Sequence, residues 1–218
     1  MVKHILLAIV AIVAIVAIAG VTACGNKAKK VEKPETTAPQ RGLDDKRVLI
    51  LYFTHHGGTY TPDGIVNQTE GNTELMAKKI AEYIGKGDLF RIEAVKAYPE
   101  DYQKCCDVAK VELEKKELPE LKAVVEKMED YDVIFIGYPI WWGTYPRPVA
   151  TFIDQKNQEF NGKTVVPFST NEGSDWGESL TDLKAALPGS KFLPGLALRG
   201  SKVKESDDEI HRWLDQIK

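Results

Sequence analysis

Residues 139–143 read Pro-Ile-Trp-Trp-Gly and place two of the chain's four tryptophans side by side. Neighbouring side chains on an extended segment point to opposite faces, so at least one of Trp141 and Trp142 is expected outside the core. An indole offers a large flat face for stacking on a planar ring, while loop amides around Pro139, Ile140 and Gly143 can bond to that ring's polar edge. Stacking adds only about 0.5–1.5 kcal/mol beyond area burial, whereas nanomolar binding takes about 12 kcal/mol. Other groups must therefore supply most of the hold. Thr54, Gly71, Asn72 and Thr73 have the chemistry for it, because glycine admits close backbone approach and a helix start presents free N–H groups to an anion without a lysine. A phosphate is the natural occupant, although the same residues also cap helices and both readings stay open. His55 and His56 follow as candidates for contact with a phosphate or an electron partner. A third stretch, residues 170–177, holds Thr170, Asn171, Glu172 and Gly173, with Ser174 and Gly177 easing close backbone approach and Asp175 adding a second carboxylate.

Each stretch follows a short apolar run. Residues 47–53 (RVLILYF), 130–138 (DYDVIFIGY) and 163–170 (KTVVPFST) read as strands buried on both faces, with 89–95 and 191–198 as two more. Helical periodicity marks 72–85, 101–116, 178–187 and 207–217, and Pro146 and Pro148 suit a helix start before VATFI. Strands alternating with helices imply a doubly wound parallel sheet covered on both faces, whose ligands sit outside the carboxyl ends of the strands. The three stretches share that edge. Residues 55–70 form a long insertion within the first of them, read as a lid or a solvated loop.

The charge balance narrows the partners. The chain carries 29 Lys/Arg and 32 Asp/Glu. Residues 1–45 hold six and four of these, which leaves 23 and 28 for residues 46–218, a net of about −5. An acidic domain with no basic stretch interleaved with aromatics argues against nucleic acid. A hydrophobic fraction of 43% argues against disorder throughout. No CxxC or HxxxH spacing points to a metal. Cys105 and Cys106 are adjacent on an expected helix, where side chains diverge by about 100°, so a disulfide between them is geometrically poor.

The N-terminus reads as an address. Lys3 and His4 precede an uncharged apolar run from Ile5 to Val21, followed by Thr22, Ala23 and Cys24. These are the parts of an export signal, and VTAC resembles the bacterial lipobox. That resemblance implies removal of residues 1–23 and a lipid anchor on Cys24. An uncleaved membrane helix is the alternative, since the uncharged stretch reaches the roughly 20 residues needed to span. Both place the domain outside the cytoplasm, on a membrane. Residues 24–45, rich in Lys, Glu, Thr and Pro, read as a flexible tether.

From about Lys46 to Lys218 the chain resembles the flavodoxins, in a subgroup with a PIWWG loop. The likeness runs through YFT (52–54), EGNTELMAKKIAEYI (70–84), YDVIFIGYPIWWGTYPRPVATFID (131–154), FNGKTVVPFSTNEGSDWGESL (160–180) and LPGLALRGSKV (193–203). It implies a five-stranded sheet ordered 2-1-3-4-5 and a noncovalent flavin mononucleotide (FMN). By position, Thr54, Gly71, Asn72 and Thr73 would hold the phosphate, with His55 beside them. Pro139 to Gly143 would line the isoalloxazine, and Thr170 to Gly173 would close its other edge. The compact T-x-T-G-x-T phosphate loop is interrupted by residues 55–70, and Glu70 replaces a common threonine. A carboxylate beside a phosphate is unfavourable, so Glu70 is expected to point away. The function implied is electron transfer with an unidentified redox protein, for which an acidic surface suits a basic partner. Two alternatives stay open: an NAD(P)H-dependent reductase of quinones, nitro or azo compounds, and a module that keeps the fold without flavin.

Overall fold

The computed structural model describes residue 43 and residues 45–217. The expected signal segment, Cys24 and all of the tether except Leu43 and Asp45 lie outside the described residues. Among the described residues no helix is long and apolar enough to cross a membrane.

The apolar runs form the centre of the sheet. Strand β1 (Val48–Tyr52) is buried at every position. The strands β2 (Gly57–Thr61) and β3 (Gly64–Gln68) follow, then helix α1 (Asn72–Ile84), β4 (Asp88–Arg91) and α2 (Tyr102–Lys115). The rest runs β5 (Val133–Pro139), α3 (Arg147–Lys156), β6 (Thr164–Asn171), α4 (Ser179–Ala186), β7 (Lys191–Phe192), β8 (Leu196–Arg199) and α5 (Asp207–Asp215). The main sheet is ordered β4-β1-β5-β6-β7, with β8 also on β6, and every pairing in it is parallel. Counting only its strands, this is the expected order 2-1-3-4-5.

Alternation along the strands divides the core in two. Ile50, Tyr52, Phe135 and Phe168 join Met76 and Ile80 of α1 and Trp213 and Leu214 of α5 on one face. Leu49, Leu51, Ile134 and Ile136 join Phe152 of α3 and Leu183 of α4 on the other. Gly137 makes one crossing possible, because a Cβ there would lie 2.0 Å from the Phe168 ring. Leu43, assigned to the tether by composition, is 3% exposed and belongs to the first cluster. The folded part therefore begins before residue 46.

Two expectations need correction. The single strand at 191–198 is two short pieces, because Pro194 lacks an N–H and faces a β6 that itself carries Pro167. A Cβ at Gly195 would lie 2.6 Å from the Pro167 carbonyl, so the chain pinches against β6 there. The insertion at 55–70 is not a loop but a two-stranded antiparallel hairpin, β2 with β3, paired from Gly57–Gln68 to Thr61–Gly64. Pro62 fixes the first corner, Gly64 supplies a φ of 121°, and the Thr61 hydroxyl donates to the Gly64 carbonyl at 2.9 Å.

Candidate functional site

The carboxyl ends of β1, β5 and β6 open on a cavity of about 440 Å³, within the usual range of about 300–1,000 Å³ for ligand pockets. Thr54, His55, Asn72, Thr73, Pro139, Ile140, Trp141, Trp142, Thr170, Asn171 and Glu172 all line it. Gly71, Gly143 and Gly173, also expected at the site, are not among its lining residues. The hairpin adds Gly58, Thr59, Tyr60 and Gln68 to the wall, α2 adds Tyr102, Gln103, Cys105, Cys106 and Ala109, and Gly200 completes it. The hairpin's one sequence signal was the Pro62-Asp63-Gly64 turn. The α2 wall had none, since an amphipathic helix does not announce which cavity it borders.

One end of the cavity is built for an anion. Helix α1 starts after Gly71, whose backbone is extended and which supplies no side-chain cap, so the first-turn N–H groups stay open to a ligand. A Cβ on Gly71 would sit 2.0 Å from Thr54 Oγ1 and 2.5 Å from the His55 carbonyl, so glycine is what lets the β1 end meet the helix. Thr73 and Thr170, both buried, join hydroxyl to hydroxyl at 2.7 Å and tie α1 to β6. The Gln68 amide donates to Asn72 Oδ1 at 3.1 Å. His55 Nε2 and Gln68 Oε1 are buried without partners. Burial holds the His55 pKa below its ordinary value, and the neighbouring His56 adds to this, so its ring stays neutral near pH 7. Glu70 is turned away as expected, accepting from Lys78 Nζ at 2.7 Å. His56 does not line the cavity and instead bonds Glu74 Oε2 at 2.9 Å through Nε2.

The two tryptophans divide their work. Trp141 is half-buried and meets Phe53, Tyr98 and His55 edge to face, at centroid distances of 5.3, 5.1 and 5.8 Å. It anchors the loop. Trp141 and Thr144 exchange both backbone bonds, at 2.9 and 3.1 Å, around a turn whose central residues Trp142 and Gly143 both have positive φ, 50° and 83°. Holding a tryptophan there costs about 1–2 kcal/mol. In return its indole, 52% exposed, stands at the mouth, where Nε1 donates to the Cys106 carbonyl at 3.0 Å.

The third stretch is tied down by its own side chains. Asn171 Oδ1 accepts from the Gly173 and Asp175 N–H groups at 2.7 and 3.1 Å, and Asn171 Nδ2 donates to the Leu198 carbonyl at 3.2 Å. Glu172 accepts from the Ser201 N–H and hydroxyl at 2.6 and 2.9 Å, so its carboxylate is held against the segment after β8. Glu172 is the only carboxylate in the cavity wall, which among the described residues carries no lysine or arginine. Cys105 and Cys106 are free thiols on that wall. Burial, followed by the Cys106 and Glu112 charges, pushes the Cys105 thiol up to about 12, so it stays protonated.

The sequence model of the flavodoxin family matches residues 66–217. The chain belongs to the flavodoxin family. Among solved structures it is similar to a Bacteroides eggerthii protein classed as a flavoprotein, with 32% identity, 76% of this chain and 98% of that one covered, and a TM-score of 0.58. It shares the fold of a Lactobacillus acidophilus flavoprotein solved in complex with FMN, at 24% identity, coverage of 73% and 97%, and a TM-score of 0.54. Among curated proteins it is 26% identical over 140 residues to an NAD(P)H dehydrogenase (quinone) of Acidovorax ebreus, covering 62% of this chain. The chain spans 61% of that relative's length. For a flavodoxin-family member the site fits FMN: an open helix start, buried polar atoms that lack partners, and flat indoles border one cavity.

Proposed function

We propose that this chain is an FMN-dependent electron-transfer protein, tethered to the outer face of a bacterial membrane through Cys24. The cofactor is FMN. The observation that carries the electron-transfer reading is the joining, in one cavity, of an uncapped α1 start and the Trp141–Trp142 loop. Thr54, Asn72, Thr73 and the first-turn N–H groups would bind the phosphate, and the loop from Pro139 to Gly143 would hold the ring, with Thr170 to Gly173 at its other edge. FMN, when bound, supplies one- and two-electron redox chemistry. The chain binds, orients and excludes water, and needs no catalytic acid, base or nucleophile of its own. Electrons would be exchanged with a redox protein of basic surface, in keeping with a net charge of about −5 on residues 46–218. The tether is supported by the basic start, the apolar run and the VTAC stretch.

A second reading, an NAD(P)H-dependent reductase of quinones, nitro or azo compounds, is favoured by the Acidovorax ebreus relative and by the walled mouth. A visible spectrum decides between them. The chain should turn yellow after incubation with FMN and keep the colour through gel filtration; a colourless protein would defeat both readings. Rapid bleaching on mixing with NAD(P)H would favour the reductase. Reduction only through a partner protein would favour the carrier. Lipidation is tested separately: Cys24→Ser should lose incorporation of labelled fatty acid, and a label that persists would remove the anchor.

A further inference from the structure

The two loops expected to grip the flavin ring are joined to each other outside the cavity. Gly177, which the sequence marked for close backbone approach, approaches the tryptophan loop: a Cβ on it would lie 2.2 Å from the Gly143 carbonyl oxygen. Its φ of 50° also favours glycine. The next residue completes the joint, since the Glu178 N–H donates to that same Gly143 carbonyl at 2.7 Å. Within the first turn of α4, Asp182 Oδ2 accepts from the Thr144 hydroxyl at 2.7 Å. The turn that carries Trp142 is thus held by the start of α4 through both Gly143 and Thr144. On its other side the joint leads back to the cavity. The Gly177 N–H donates to the Ser174 carbonyl at 3.1 Å, and just before it the Gly173 and Asp175 N–H groups donate to Asn171 Oδ1. Neither Gly177 nor Asp182 lines the cavity.

We propose that Gly177 and Asp182 are positioning residues for the flavin ring. They act through Gly143 and Thr144 to fix where Trp142 stands relative to the stretch from Asn171 to Gly173, and so set the shape of the slot between the two loops. The inference rests on the FMN reading. The strain at Trp142 explains why such a latch is needed: a tryptophan held at positive φ persists only where its surroundings over-determine the turn. Bonds to the Gly143 carbonyl and the Thr144 hydroxyl do this from the two residues that follow it. Both contacts lie at the ring end. The α1 start, where the phosphate would bind, is tied to β6 by a different bond, Thr73 to Thr170.

The test uses the full chain and FMN, with the variants Asp182→Ala, Asp182→Asn and Gly177→Ala. Asp182→Ala should raise the Kd for FMN about fivefold, in keeping with one solvent-exposed hydrogen bond, while the melting temperature of the flavin-free chain stays within about 5 °C of wild type. Asp182→Asn should restore most of the affinity, because its amide oxygen can still accept from Thr144. Gly177→Ala, which drives a Cβ against the Gly143 carbonyl, should weaken binding further than Asp182→Ala. In both weakened variants the visible circular dichroism of bound flavin should change, while its phosphorus NMR resonance keeps the wild-type position. Unchanged FMN affinity and flavin dichroism in Asp182→Ala would overturn the positioning role, as would equal losses in Asp182→Ala and Asp182→Asn. A phosphorus resonance that moves along with the flavin signal would reveal general disruption of the site and overturn it too. Should Gly177→Ala fail to fold, the two Asp182 variants still decide. A wild-type chain that takes up no FMN would show a different failure, that of the cofactor reading, and the inference would fall with it.

Discussion

At the scale of single residues, the site trades stability for placement. Trp142 accepts a left-handed backbone so that its indole can stand at the mouth. Trp142→Ala should raise the Kd for FMN at least tenfold in a fluorescence titration while the circular dichroism of the folded chain stays unchanged. Thr73→Ala should do the same and also lower stability by about 1–3 kcal/mol, since it strands the buried Thr170 hydroxyl. Unchanged FMN affinity in both would remove the site assignment. His55 makes a pH-dependent contribution. Its folded pKa lies below the ordinary 6.5, so below that pH the unfolded chain binds the proton first and stability falls as the solution is acidified. Urea unfolding at pH 7.5 and 5.5 should show a larger drop for wild type than for His55→Gln. The roles of these residues were only partly legible in the sequence. The doubled tryptophan and the Gly71-Asn72-Thr73 start announced a ligand through their own chemistry. The split between an anchoring Trp141 and an exposed Trp142 depends on Phe53, Tyr98 and Cys106, which are distant in the chain.

At the scale of elements, β1, β5 and β6 were readable because strands buried on both faces cannot tolerate polar interruptions. Helix limits were equally plain at α1 and α2, where Gly85 and Lys116 adopt left-handed caps and Asp101 Oδ1 accepts from the Lys104 N–H at 2.9 Å. The fifth strand was misjudged because its break depends on a neighbour, Pro167 of β6, as much as on its own Pro194 and Gly195. The hairpin was missed because its strands are short and polar and carry no core face, which removes the periodicity that usually betrays a strand. Strand β5 offers the sharpest test of the sheet. Ile134 is fully buried, so Ile134→Asp would place an unpaired charge in the second core cluster. It should leave no cooperative unfolding transition by calorimetry, and a folded Ile134→Asp protein would contradict the core described here.

At the scale of the whole molecule, the acidic balance of residues 46–218 predicts how partners arrive. Surface charges more than about 8 Å apart are screened at physiological salt, so electron transfer with a basic protein should slow several-fold between 10 and 150 mM salt in stopped flow, whereas an uncharged small acceptor should show almost no salt dependence. The topology also fixes an orientation. Strand β1 opens at Val48, just after the chain enters the domain, and closes at Tyr52, two residues before the cavity begins at Thr54. Entry and mouth thus lie at opposite ends of the first strand, roughly 16 Å apart along it. Attached to an electrode through a residue engineered ahead of Leu43, the domain would turn its redox opening toward the solution. Current would then pass through dissolved mediators, with little by direct contact with the metal.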